Sequence, residues 1–244
     1  MKSRIIARLD IKSSHLIKGI HLEGLKIVGD PSDYAKKYFK DNIDEIIIID
    51  SVATLYDRKP NFELLKKITK DIFCPITIGG GIRNLPEAIS ILDCGCDKVA
   101  INTAAVKNPK LITKLANTFG SQSVVLSIQA KRRDGWWEIF TDNGREKKGI
   151  DVMDWIKKGN DLGAGEILLT SIDQEGTREG FDIDLINQAS EISDCPIICS
   201  GGMGKLKHLK ELNSKTECKA YAIADFFHIQ NNQIKEIKNF LSKK

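Results

Sequence analysis

The sequence predicts a TIM (β/α)8 barrel, one domain over 1–244 made of two homologous half-barrels at approximately 1–122 and 123–244. Three observations carry this. Short β-branched apolar runs alternate eight times with amphipathic stretches, the pattern of parallel strands joined by crossover helices. The segment Cys74-Pro75-Ile76-Thr77-Ile78-Gly79-Gly80-Gly81 returns half a chain later as Cys195-Pro196-Ile197-Ile198-Cys199-Ser200-Gly201-Gly202, so one half is written twice. The 244 residues suit one barrel, and no Ser/Gly/Pro-rich linker divides them. An open doubly wound sheet fits less well, because two four-unit halves close naturally into a ring.

In chain order the strands are expected at 4–9, 45–49, 76–78, 98–101, 124–128, 166–169, 197–199 and 220–224. The run Ile46-Ile47-Ile48-Ile49 is continuous rather than alternating, as in a strand buried on both faces. Helices are expected at 31–39, 61–69, 85–92, 109–118, 152–162, 183–192, 206–212 and 233–241. Pro31 and Pro109 sit where a first helical turn tolerates proline. Two segments exceed a minimal barrel. Residues 13–30 mix Gly19, Gly24 and Gly29 with Lys18 and Lys26, which suits a mobile loop at an active site. Residues 131–149 read as a hairpin turning at Asn143-Gly144. They follow strands one and five, corresponding points of the two halves.

Thirty-seven basic and 33 acidic residues leave a net charge of +4 spread along the chain, which argues against a nucleic-acid or membrane surface. Neither a signal peptide nor a membrane span is apparent, so a cytoplasmic protein is expected. The six cysteines form no CxxC pair and the four histidines are scattered. Free buried thiols are therefore expected, with no metal and no organic cofactor.

Chemistry in such barrels sits at the C-terminal strand ends. Here those ends offer Asp10, Asp50-Ser51, Gly79-Gly80-Gly81, Asn102-Thr103, Gln129, Ser171, Asp173, Gly201-Gly202 and Asp225. Glycine turns let backbone N–H groups approach an anion, and two such turns on opposite sides of the mouth suggest a substrate with two phosphates.

Longer motifs narrow this further. Ile17-Lys18-Gly19, Gly29-Asp30-Pro31, Gly79-Gly80-Gly81-Ile82-Arg83, residues 98–109, Phe119-Gly120-Ser121-Gln122 and residues 162–171 closely resemble HisF, the cyclase family of imidazole glycerol phosphate synthase. The resemblance runs from Arg4 to about His228. It implies a glutaminase (HisH-like) partner at the N-terminal face, ammonia passing through the barrel, and a phosphorylated substrate cyclised at the other end. The implied ammonia gate is Arg4, Glu45, Lys98 and Glu166, and Asp97 is the implied partner contact. Four alternating charges at strand N-termini can pair around the axis and leave a narrow polar passage. The implied substrate and phosphate ligands are Lys18, Gly81, Asn102, Thr103, Gly176, Gly202 and Asp225.

Two departures stand out. The family's acid/base aspartates end strands one and five; Asp10 matches the first, but Gln129 replaces the second. An amide orients a substrate without exchanging a proton near neutral pH. Asp225 replaces a phosphate-binding serine and is expected to repel a phosphate or to recognise a sugar hydroxyl instead. Three functions follow from the resemblance: the cyclase itself; a paralogue passing ammonia into amidation of a bacterial surface sugar with a separate amidotransferase; or a non-catalytic barrel that scaffolds the glutaminase.

Overall fold

Parallel strands with both faces apolar need helices outside and a closed ring inside, and the computed structural model has both. It describes residues 3–230 and 233–242; the extremes of the expected 1–244 domain and residues 231 and 232 lie outside the described residues. Barrel strands one to eight are Arg4–Lys12, Glu45–Asp50, Ile76–Gly79, Lys98–Ile101, Val124–Arg132, Glu166–Ser171, Ile197–Ser200 and Ala220–Ile223. Strand eight closes the ring on strand one, pairing Arg4 with Ala220 through Ala7 with Ile223.

The period-two geometry of each strand divides its side chains between two cores. Ile6, Ile47, Ala100, Val125, Leu168 and Ile198 point inward and, with Ala220 and Ala222, form an aliphatic layer inside the barrel. Their alternates, such as Ile5, Ile46, Val99, Val124 and Leu126, pack beneath the helices. The eight expected helices form as Pro31–Lys40, Phe62–Thr69, Leu85–Leu92, Lys110–Phe119, Val152–Asp161, Ile183–Ile192, Leu206–Lys215 and Ile234–Ser242. Asp30, Asn61, Asn84, Asp151 and Asp182 cap five of them by accepting from backbone N–H groups of the first turn.

The structure differs from the sequence expectation in two places. Short helices Thr103–Lys107 and Asp225–His228 follow strands four and eight, too brief to show a 3.6-residue period. Residues 13–30 are a hairpin rather than a loop: His15–Ile20 pairs antiparallel with the end of strand one, and Glu23–Gly29 pairs with His15–Ile20. Buried Leu16 and Ile17 anchor it. Over the other half, Trp137–Thr141 and Glu146–Asp151 form the expected hairpin on strand five, and Asp142, Asn143 and Gly144 turn with φ of 52°, 56° and 79°.

All six cysteines are free, four of them buried. Among the described residues no helix is long and apolar enough to cross a membrane.

Candidate active site

The mouth holds two unequal clefts. The larger, about 260 Å³, opens at the ends of strands two to five and is lined by Asp50, Gly81, Asn102, Thr103, Gln129 and Asn143 among others. Gly80 and Gly81 adopt φ of 96° and 74°. A Cβ on Gly80 would lie 2.3 Å from the Asp50 carbonyl oxygen, so only glycine lets this turn tuck against strand two. Asp50 accepts from the Val52 and Ala53 N–H groups at 3.1 and 3.0 Å, and burial pushes its carboxyl pKa up.

Two anticipated ligands, Asn102 and Thr103, and Gln129 at the anticipated catalytic position also hold the strand-five hairpin. Asn102 Nδ2 donates to the Phe140 carbonyl at 3.3 Å, Thr103 Oγ1 accepts from Asp142 N–H at 3.2 Å, and Gln129 Oε1 accepts from Gly144 N–H at 2.8 Å. With one lone pair of its oxygen engaged by Gly144, the Gln129 amide can address a ligand through its second lone pair and its N–H groups, none of which has acid/base capacity.

Asp10 stands apart from this cleft. It is 6% exposed and accepts from Arg8 Nε at 3.0 Å; Arg8 Nη1 continues to Thr170 Oγ1 at 2.8 Å and Ser200 Oγ at 2.9 Å. The Arg8 carbonyl accepts from His228 Nε2 at 2.8 Å, and Tyr38 Oη lies 2.6 Å from His228 Nδ1. Burial pushes the His228 pKa down to about 4, so the ring is neutral, with Nε2 the donor and Nδ1 the acceptor for the tyrosine hydroxyl.

The smaller cleft, only about 10 Å³, lies between the loop after strand six and the ends of strands seven and eight, bordered by Gly176, Gly202 and Asp225. A Cβ on Gly202 would fall 1.7 Å from the Gly180 carbonyl oxygen, and Gly180 N–H donates to the Gly202 carbonyl at 2.8 Å. Lys18 is not extended toward a ligand: it is buried in an ion pair with Glu175. Desolvation brings its pKa down to about 8, aided by Arg8 and opposed by Asp10 and Asp225.

Asp225, expected to repel a phosphate or to recognise a sugar hydroxyl, has a cationic partner in the structure. Arg178 grips it in a bidentate pair, Nε to Oδ1 at 2.6 Å and Nη2 to Oδ2 at 3.1 Å, so its charge is already met within the chain.

At the opposite face Arg4, Glu45, Lys98 and Glu166 close a ring. Arg4 Nη1 lies 2.7 Å from both Glu45 Oε1 and Glu166 Oε1; Lys98 Nζ lies 2.6 Å from Glu166 Oε2 and 3.5 Å from Glu45 Oε2. Each carboxylate thus bridges both cations. Burial disfavours charge on Arg4, but Glu166 and Glu45 outweigh it and raise its pKa. Asp97, exposed on the same face, accepts from Ile76 N–H at 2.8 Å and fastens the start of strand three.

With this geometry the chain matches, over residues 4–233, a family model described as "Histidine biosynthesis protein". It is 58% identical to the imidazole glycerol phosphate synthase subunit HisF of Legionella pneumophila, over 84% of this chain and 97% of that protein. Identity to the protein of the same name from Clostridium botulinum (strain Langeland) is 44%, covering 98% and 96% of the two chains, and to that of Pyrococcus furiosus 42%, covering 98% and 95%. The chain belongs to the HisF family.

Within this HisF-family chain three mouth residues went unread in the sequence. Arg8 was visible in principle, since it lies in phase with Arg4 and Asp10 on a strand that alternates inward and outward. Glu175 and Arg178 sit in an irregular loop, where no period places a side chain.

Proposed function

We propose that this chain is the ammonia-using cyclase subunit of an imidazole glycerol phosphate synthase, acting as one unit of two half-barrels. A glutaminase docks at the N-terminal face, around Asp97, and ammonia enters through the four-charge ring. The observation that carries this reading is the ring itself, in which four charged side chains converge on the barrel axis at distances from 2.6 to 3.5 Å. Buried charges are costly unless paired, and a barrel bottom gains nothing in stability from them that aliphatic packing could not supply.

At the mouth, one phosphate of the substrate occupies the larger cleft at Gly81, Asn102 and Thr103, and the second lies toward Gly176, Gly202 and Asp225. Lys18 leaves Glu175 to reach it. Asp10 exchanges protons with the opening and closing rings, and Gln129 orients the substrate through its amide. The test is conversion of the bisphosphate substrate to imidazole glycerol phosphate by the purified chain with ammonium salt. Gln129→Asp is expected to raise turnover within the ~10²–10⁴ that one acid/base group contributes. Absence of product from both proteins would sink the cyclase reading.

A second reading is favoured by two specific observations. Gln129 cannot exchange the proton, and Arg178 engages the Asp225 carboxylate at the border of the second cleft. Both suit a changed acceptor, with ammonia passed to a surface sugar by way of a separate amidotransferase. It requires glutamine-derived nitrogen in the sugar only when that third protein is present. A purely scaffolding barrel would instead tolerate Asp10→Asn without loss.

A further inference from the structure

Inward positions of strand one carry, from bottom to top, Arg4, Ile6, Arg8 and Asp10. Arg4 belongs to the charged ring and Ile6 to the aliphatic layer. Arg8 stands one step higher and is 2% exposed. Its guanidinium does not stay beside its own strand. Strand one pairs in the ring with strands two and eight, yet Arg8 Nη1 bonds Thr170 on strand six and Ser200 on strand seven. A side chain that reaches those strands from strand one crosses the lumen. Thr170 and Ser200 each lie two residues above Leu168 and Ile198 of the aliphatic layer, so the cation spans the barrel just over its dry middle.

Two of the three side-chain anchors are neutral hydroxyls; the third, Asp10, is the only one that balances the charge. A buried cation that loses its carboxylate is left uncompensated and is driven to move. The His228 bond to the Arg8 carbonyl fixes the backbone, so the movement falls to the side chain.

We propose that Arg8 is an upper closure of the barrel lumen, released when Asp10 turns from it to a bound acceptor. Ammonia then gains the mouth only when an acceptor is there to take it. This rests on the ammonia-conducting reading above. With the charged ring below, Arg8 bounds the aliphatic layer, where an ion would have to shed its water, so neutral ammonia is favoured over ammonium. Arg8 is a positioning residue: it acts on the reaction through Asp10 and through the path.

The closure is tested without any reaction by Val125→Cys, which places a thiol in the aliphatic layer below Arg8. Its modification by methyl methanethiosulfonate is followed by peptide mass spectrometry, which separates it from the native cysteines. Labelling is expected to be slow in the Arg8 background and several-fold faster with Arg8→Ala or with Thr170→Val and Ser200→Ala together. The double substitution keeps the Arg8–Asp10 pair and guards against misfolding of the first variant. Equal labelling rates in all three, at matched thermal midpoints, overturn the closure.

Its coupling is tested with the glutaminase partner. Glutamine hydrolysed per product is expected to be close to stoichiometric in the native complex, to rise several-fold in both variants at sub-saturating acceptor and to return at saturation. An unchanged ratio, or an excess that persists at saturation, overturns the coupling. A native chain that makes no product from ammonium salt while the labelling contrast holds counts against the cyclase reading and not against the closure.

Discussion

Arg178 and Asp225 show how a single substitution in a family pattern acquires its meaning from a partner. A serine-to-aspartate change beside an anion cleft reads as repulsion, but the bidentate arginine turns it into a neutral pair with guanidinium N–H groups to spare. Arg178→Ala is therefore expected to raise KM for the phosphorylated substrate through ~1 kcal/mol of exposed Asp225 repulsion, about fivefold. Adding Asp225→Ser should restore it, as read from KM at constant ionic strength. His228 supplies a pH test at the same scale. Its pKa is about 4 in the fold against an ordinary 6.5, so the unfolded chain binds a proton first as pH falls. The neutral ring's contribution is whole above about 6.5 and is lost as pH drops through about 4, by ~3 kcal/mol in all. Thermal midpoints measured across that window should fall with pH, and His228→Gln should flatten the slope.

The two hairpins are the elements that shape the mouth, and they differed in legibility. The strand-five hairpin announced itself through an Asn-Gly turn between apolar runs. The strand-one hairpin did not, because Gly19 and Gly24 read as loop and its ladder shifts register between Leu16 and Ile17 and again between Lys18 and Ile20. Gly19 is needed there: a Cβ would sit 2.1 Å from the Glu23 carbonyl oxygen. The hairpin rests on the loop after strand six, where Gly176, at φ 77°, lies so close that a Cβ would come 2.4 Å from the Gly19 carbonyl oxygen. His21 N–H donates to the Glu175 carbonyl at 2.8 Å beside it. Gly176→Ala should cost ~1–2 kcal/mol and free this hairpin, seen as faster hydrogen exchange across 15–29 and a lower thermal midpoint. Unchanged exchange there would show that the contact does not hold it.

For the whole molecule, the strand order places a charged ring at one end, an aliphatic layer in the middle, Arg8 above it and the candidate site residues at the other end. Lys98→Ala leaves Glu45 and Glu166 to share Arg4 alone. Loss of two charge-assisted contacts is expected to cost about 2 kcal/mol in denaturant unfolding. It should also alter the stoichiometry between glutamine hydrolysis and product while leaving the ammonium-driven reaction unchanged. Identical stoichiometry would argue against passage through the ring.

By itself the sequence determined the barrel, its eight strands to within a few residues, the Asn-Gly turn of the strand-five hairpin, and which residues stand at each strand end. Alternation, periodicity and an internal repeat are local properties, and a closed parallel ring is their one economical solution. The positions of Arg4, Glu45, Lys98 and Glu166 were legible for the same reason, since each begins a strand. Only the tertiary structure decided how side chains far apart in the chain pair across the lumen and over the mouth. Arg8 with Thr170 and Ser200, Lys18 with Glu175, and Arg178 with Asp225 depend on ring stagger and on loop paths that no local period encodes.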